Sequence, residues 1–265
     1  MTDAFFFPED SSAVWLRRVD ARLATHLLKR SAVGANPRVL EIGVWKGAWS
    51  AIVLKNVAES TVVGIDPYPD GAKPVRNEML QQMAALGLLQ RFTLHDQVSD
   101  LDPSSRFDLI HIDGDHSEEA AWEDLKHADE LLAEGGVIVV DDISHKWLPG
   151  VASATYRYCG QSDLRMFLLT KAKGYLARKE TAAELHRWLY SARHAIPEVR
   201  IYRDFQEMAD HPYPERSEVL GQPVLLARGD TKGSPLGSSR AQWIARLTAR
   251  ASRLRRAAQR IWQRA

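Results

Sequence analysis

"FDLIHIDGDHSEEAAWEDLKHADELLAEGGVIVVDDI", residues 107–143, holds two short apolar runs, Leu109–Ile112 and Val137–Val140, and each stops at a knot of charge. The first stops at Asp113, Asp115 and His116, the second at Asp141 and Asp142. Between them a helix-length segment, Ser117–Leu132, leads to a Gly135-Gly136 turn. Strand, helix, turn and strand make a βαβ unit, whose crossover returns the chain in the same direction. Both strands then end at one edge of a parallel sheet, the edge at which open α/β folds bind ligands. Neighbouring strands lie about 4.8 Å apart, so Asp113 can meet the Asp141-Asp142 pair. At about 4 Å and an effective dielectric near 20, two carboxylates repel by roughly 4 kcal/mol. Either some are protonated or a cation sits among them. Oxygen ligands without a cysteine point to magnesium or calcium rather than zinc. Taken singly, Asp115 and Ser117 are helix caps, with Glu118 and Glu119 favouring the helix dipole, and Asp142 is a loop residue. The metal reading rests on three acids meeting at one edge.

Outward from this unit, further β-type runs occur at "RVLEI", "TVVGID" and "RFTLH", separated by helix-length segments. Alternating strands and helices predict a parallel sheet covered on both faces. "LRMFLLTKAKGYLARK" predicts a final strand pair turning at Lys173-Gly174, which makes the end of the sheet antiparallel. Val14, Val19, Leu23, Leu27 and Leu28 recur at helical spacing and predict an N-terminal helix over Ser12–Arg30. A further helix is expected over Thr181–Ala195, while Pro197–Gly229 receives no assignment. The organisation is an N-terminal helical segment (1–35), an α/β core (36–180), an extension (181–229), a flexible linker (230–239) and a C-terminal segment (240–265).

"VLEIGVWKGAWS" closes the first strand with Glu41, Gly43 and Gly47. Glycines let the chain turn sharply and let a ligand approach the backbone. The G-x-x-x-G spacing is not the G-x-G-x-x-G of a dinucleotide fold, and by itself it fits a tight turn without ligand. The second strand ends in Asp66, where an acid can bind the two hydroxyls of a ribose. Glycine turn and acid together favour a nucleoside. Trp45 and Lys46 lie in this turn, as a shield over the ligand or as ordinary packing.

This E-x-G-x-x-x-G turn followed by an acid resembles the class I S-adenosylmethionine-dependent methyltransferases. The resemblance implies that Glu41, Gly43, Val44 and Gly47 line the cofactor, that Asp66 holds its ribose, and that Asp113 borders it. Asp96, in "LHDQ", would lie near the adenine or else be a solvated loop aspartate. The combination "IDGDHSEE … LLAEGGVIVVDD" is similar, more narrowly, to the metal-dependent sugar O-methyltransferases of the macrocin and mycinamicin type, close to the cephalosporin-hydroxylase-like group. That likeness covers Arg38–Lys179. It implies Asp113, Asp141 and Asp142 as ligands of a divalent cation, magnesium first, with His116 or Asp115 as general base. His145, in "DDISHKWLPGV", either faces the acceptor too or is solvated, and Trp147 is a candidate wall of the acceptor site. A hydroxyl is a poor nucleophile until it loses its proton. A divalent cation on its oxygen stabilises the alkoxide, and an imidazole with pKa near about 6.5 accepts a proton at neutral pH.

Composition bounds the alternatives. The single cysteine, Cys159, excludes an internal disulfide and suits a reducing compartment. The start "MTDAFFFPEDSSAVW" is not a signal peptide, and no stretch approaches the about 18–20 apolar residues of a membrane span. A cytoplasmic protein is expected. The net charge of +1 hides an asymmetry: residues 240–265 carry eight arginines and no acid, leaving 27 basic and 34 acidic residues, a net of −7, elsewhere. Trp243, Ile244, Leu247, Leu254, Ile261 and Trp262 give this tail the apolar stripe of a basic amphipathic helix. Its candidate partners are an anionic membrane surface at the inner face of the membrane, its own domain or a second copy in a homo-oligomer; single-stranded nucleic acid is disfavoured. A nucleic-acid methyltransferase lacks its N/D-P-P-Y/F motif after the fourth strand, and a nicotinamide oxidoreductase lacks its glycine fingerprint. A silent methyltransferase-like binding protein is the remaining rival. The function expected is methylation of a sugar hydroxyl on a polysaccharide, glycolipid or glycosylated metabolite.

Overall fold

Side chains alternate between two apolar layers along each strand, and this alternation builds the core. The structure, a computed structural model, describes residues 5–7, 16–31, 36–192 and 218–226. Strands β1 (Arg38–Ile42), β2 (Thr61–Ile65), β3 (Phe92–His95), β4 (Phe107–Ile112) and β5 (Leu132–Val140) pair in parallel. The hairpin β6 (Leu164–Leu169) and β7 (Gly174–Arg178) follows, with β7 antiparallel to both β5 and β6. Val39, Leu109, Val137 and Val139 face α1 (Arg18–Ser31), α2 (Ala48–Asn56), α3 (Lys73–Ala85) and α6 (Lys179–Ala192). Leu40, Ile42, Ile110, Ile112, Ile138 and Val140 face α4 (Glu118–Leu131) and α5 (Pro149–Gln161). This is the α/β sheet expected, mostly parallel with an antiparallel strand near its end and helices on both faces.

Four boundaries differ. The first helix begins at Arg18 instead of Ser12, with Leu16 and Arg17 outside it. Asp20 falls in its first turn and Lys29 and Arg30 in its last, both complementing the helix dipole. β5 begins at Leu132, ahead of the glycine pair: Phe107 pairs with Leu132 but Leu109 with Val137, so a bulge absorbs the intervening residues. Gly135, at φ 73°, supplies the left-handed step. The hairpin turns at Thr170–Lys173, where the Thr170 N–H donates to the Lys173 carbonyl at 2.8 Å. Finally, the unassigned C-terminal stretch supplies β8 (Glu218–Val219) and β9 (Gln222–Pro223), a small hairpin, and β10 (Leu225–Leu226), an eighth strand parallel to β6.

The sheet order is β3-β2-β1-β4-β5-β7-β6-β10. The chain leaves β1 toward β3, then returns to β4 on the other side of β1. The β1/β4 junction is therefore a topological switch point, the crevice where such sheets bind ligands. The chain divides into compact units Met1–Gly229 and Asp230–Ala265. The described residues belong to the first; the linker expected at 230–239 and the basic helix expected at 240–265 lie outside them. No helix of the described residues is long and apolar enough to cross a membrane.

Candidate active site

Register places the site. Ile42 pairs with Ile65 on one side and Ile112 on the other, and Ile112 pairs with Val140. The next residue of each strand continues the ladder: Gly43 donates to the Ile65 carbonyl at 2.9 Å, Asp113 to Ile42 at 2.8 Å and Asp141 to Ile112 at 2.9 Å. Asp66, Gly43, Asp113 and Asp141 thus stand in one row across the carboxyl edge. A cavity of 1950 Å³ opens along this row and is lined by Glu41, Gly43, Val44, Asp66, Asp113, Asp115, His116, Asp141, Asp142 and His145.

In the glycine turn, Gly43 (φ 86°) passes so close to the β4 end that a Cβ would lie 1.9 Å from the Asp113 carbonyl oxygen. Gly47 (φ 68°) starts α2 and lies against the Met79 and Met83 side chains. Asp66 fastens the turn: its Oδ2 accepts the amides of Val44 (3.1 Å) and Trp45 (2.8 Å), and its Oδ1 accepts that of Tyr68 (3.0 Å). Two amides fill Oδ2, while Oδ1 keeps one acceptor site, so a ribose hydroxyl remains within its chemistry. Trp45 is 54% exposed and its carbonyl accepts the Tyr68 hydroxyl. Asp96 is exposed and lies outside the cavity wall, whereas Gln97 and Val98 line it. The loop after β3 therefore offers the cavity the residues that follow the aspartate.

Glu41 is buried, accepts the Ser50 hydroxyl, and shares its face of the sheet with its register partner His111. Burial pushes its carboxyl up to about 8, with the Ser50 hydrogen bond opposing the shift. His111 stacks flat on Trp49, centroids 4.3 Å apart, with Nδ1 3.5 Å from Glu41 Oε1. Glu41 therefore sits behind the glycine turn in a buried polar row while still bordering the cavity.

Across the switch point the acids converge on the His116 imidazole and on the Lys173 ammonium. His116 Nε2 lies 3.6 Å from Asp113 Oδ1 and 3.4 Å from Asp142 Oδ2. Its close contact with the Asp113 carboxylate raises the imidazole pKa above its ordinary value against the opposing effect of burial. Burial raises the Asp113 and Asp142 carboxyls, and the neighbouring Asp141 adds to both shifts. Asp142 takes φ 54°, a left-handed backbone for a non-glycine residue at the turn that aims it. Asp141 spends Oδ1 on the Asp142 amide at 2.8 Å and Oδ2 on the ammonium of Lys173. Asp115, though it lines the cavity, is exposed, and its Oδ1 accepts the Ser117 amide at 2.8 Å, which lowers its pKa. Ser117 in turn caps α4 by accepting from the Ala120 amide. His145 lies edge-on to Trp147, centroids 5.7 Å apart, and its amide donates to the Asp142 carbonyl at 2.9 Å. Trp147 itself is 74% exposed.

Lys173 and His111 are the site residues the sequence did not announce. Lys173 looks like one more turn lysine in "LLTKAKGY", and His111 sits inside an apolar run. Strand alternation alone carries a signal: His111 shares the parity of Leu109 and Asp113.

Residues 40–143 match the family described as a methyltransferase domain. A curated relative, methyltransferase str3 of Strobilurus tenacellus, is 29% identical over 123 residues, 46% of this chain. The chain spans 41% of that relative's length. The SAH-bound methyltransferase PaMTH1 of Podospora anserina superposes with a TM-score of 0.53 at 14% identity, over 64% of this chain and 82% of that one. An O-methyltransferase from Bacillus cereus in complex with SAH gives a TM-score of 0.50 at 13% identity, over 61% and 80%. The described sheet therefore has the Rossmann-like fold of the methyltransferases, and its β1–β5 portion carries the family match.

Proposed function

We propose that this chain is an S-adenosylmethionine-dependent O-methyltransferase that uses a divalent cation and methylates a sugar hydroxyl. The observation that carries this reading is the row Asp66–Gly43–Asp113–Asp141: a ribose acid and glycine turn on one side of the switch point, and converging acids on the other. The family match over the same residues supports it.

Held along Glu41, Gly43, Val44 and Asp66, S-adenosylmethionine would supply a sulfonium methyl to the acceptor oxygen in line, with the C–S electron pair kept on sulfur and S-adenosylhomocysteine as the leaving group. The acceptor proton goes to His116 Nε2, held between two carboxylates that stabilise the imidazolium formed. Asp113 and Asp142 fit a hard, oxygen-seeking cation, because each aims a carboxylate oxygen at the same point beside His116 Nε2. Bound there, magnesium would stabilise the developing alkoxide. Asp141 fits less well as a ligand, since both its oxygens are already engaged. Exposed Trp45, on the cavity wall, offers a flat apolar surface with a polar edge, which supports a sugar ring as acceptor, whereas Trp147 lies outside the lining residues.

Calorimetric titration with S-adenosylhomocysteine, in magnesium and again in EDTA, tests the reading. Micromolar-range binding in both is expected; no binding in either sinks it. His116→Ala then lowers turnover by about 10²–10⁴ with cofactor affinity retained, and unchanged turnover would remove His116 from the chemistry.

A further inference from the structure

His111, Asp113 and Asp141 each offer one atom within 4.8 Å of the others, the geometry of a small metal site. A cation of the chain already reaches it. Lys173, 1% exposed, places Nζ 2.9 Å from His111 Nε2 and pairs with Asp141 Oδ2. An ammonium only donates, so His111 accepts at Nε2 and turns its Nδ1 proton toward Glu41. The turn that delivers Lys173 is locked: its amide donates to Thr170 Oγ1 at 2.9 Å and its carbonyl accepts the Thr170 amide at 2.8 Å. The Ile143 amide donates to the Ala172 carbonyl at 3.1 Å, which ties this turn to the loop carrying Asp142. From the first helix, buried Asp20 faces the same ammonium and accepts the Tyr175 hydroxyl at 3.3 Å.

We propose that Lys173 is the resident cation of the acid cluster, a positioning residue that fixes Asp141 and fills the His111–Asp113–Asp141 pocket against a metal ion. A divalent cation is thereby confined to Asp113 and Asp142, beside His116. This inference rests on the proposed function only in taking those acids as the acceptor-activating group. A lysine standing in a cation's place raises metal affinity on removal, because a like charge is withdrawn and two ligand atoms, His111 Nε2 and Asp141 Oδ2, are released.

The test is titration of manganese alone into the full chain and into Lys173→Met and Lys173→Arg. The methionine variant is expected to bind manganese about tenfold tighter or more, and the arginine variant as the wild type does. Equal or weaker binding by a Lys173→Met protein that still unfolds cooperatively would overturn the proposal. Should that variant not fold, manganese-soaked wild-type crystals decide by anomalous scattering. A cation at Asp113 and Asp142, or none, with Lys173 on Asp141 upholds the proposal. A cation between His111, Asp113 and Asp141 with Lys173 displaced refutes it. Failure of the methyltransferase reading shows separately, as absent S-adenosylhomocysteine binding, and leaves the manganese results readable.

Discussion

The two halves of the site, on either side of the β1/β4 junction, are built by different means. On the β1–β2 side the carboxylate Asp66 binds main-chain amides of a turn 21 or 22 residues away. The parts are local and their geometry follows from backbone rules. On the β4–β5 side, side chains hold side chains: Lys173 reaches His111 across 62 residues, and Tyr175 reaches Asp20 across 155. The first half needs glycines and one acid at set spacing. The second needs several charges whose neutralisation depends on residues from α1 and the β6–β7 turn. A main-chain clamp is rigid with or without ligand, whereas a charge cluster is held by its own balance and shifts when one member is removed.

Gly43→Ala tests whether the halves share a hinge. Its Cβ would collide with the Asp113 carbonyl at 1.9 Å, at φ 86°. A loss of about 4 kcal/mol or more is expected in urea unfolding, with cofactor binding lost as well. Wild-type stability and affinity would show that β1 and β4 do not meet as described. Asp66→Asn tests their independence. One oxygen becomes a donor that cannot accept an amide, so S-adenosylhomocysteine affinity falls about tenfold, or about 1.4 kcal/mol. Manganese affinity stays within a factor of about three. A parallel fall in manganese binding would merge the two halves into one cooperative unit.

An effect of comparable size, confined to stability, tests charge imbalance beneath the second half. Asp124 of α4 lies against Gly114, where a Cβ would come 2.7 Å from its Oδ2. Burial, then Asp115 and Glu123, push its carboxyl up to about 6. The folded state thus holds this proton more tightly than the unfolded chain does. Its ionisation opposes folding: the penalty is absent below about pH 4 and complete above about pH 6–7. Asp124→Asn should raise stability by about 1–2 kcal/mol at pH 8 and leave it unchanged at pH 4. Thermal unfolding across that range checks it, and a pH-independent gain would assign the effect to packing instead.

Periodicity and punctuation determined much of this protein by themselves. Short apolar runs in "VLEI", "FDLIHI" and "GVIVV", with helix-length spacers, predicted a parallel sheet, and therefore a shared edge for Asp66, Gly43, Asp113 and Asp141. The early start of β5 was hidden because a bulge breaks the alternation that betrays a strand. Asp96 stayed open between cofactor contact and solvent in the sequence because nothing in a short loop says which of its residues turns inward. What only the tertiary structure decided was how the charges at that edge are balanced. Proximity of acids follows from strand order, which the chain writes locally. The cation that answers them, Lys173, comes from a hairpin turn about 30 residues beyond the last acid, and only the antiparallel insertion of β7 beside β5 brings it there. Electrostatic partners are set by distance in space, and a lysine in a turn looks the same in sequence whether it meets water or a buried carboxylate.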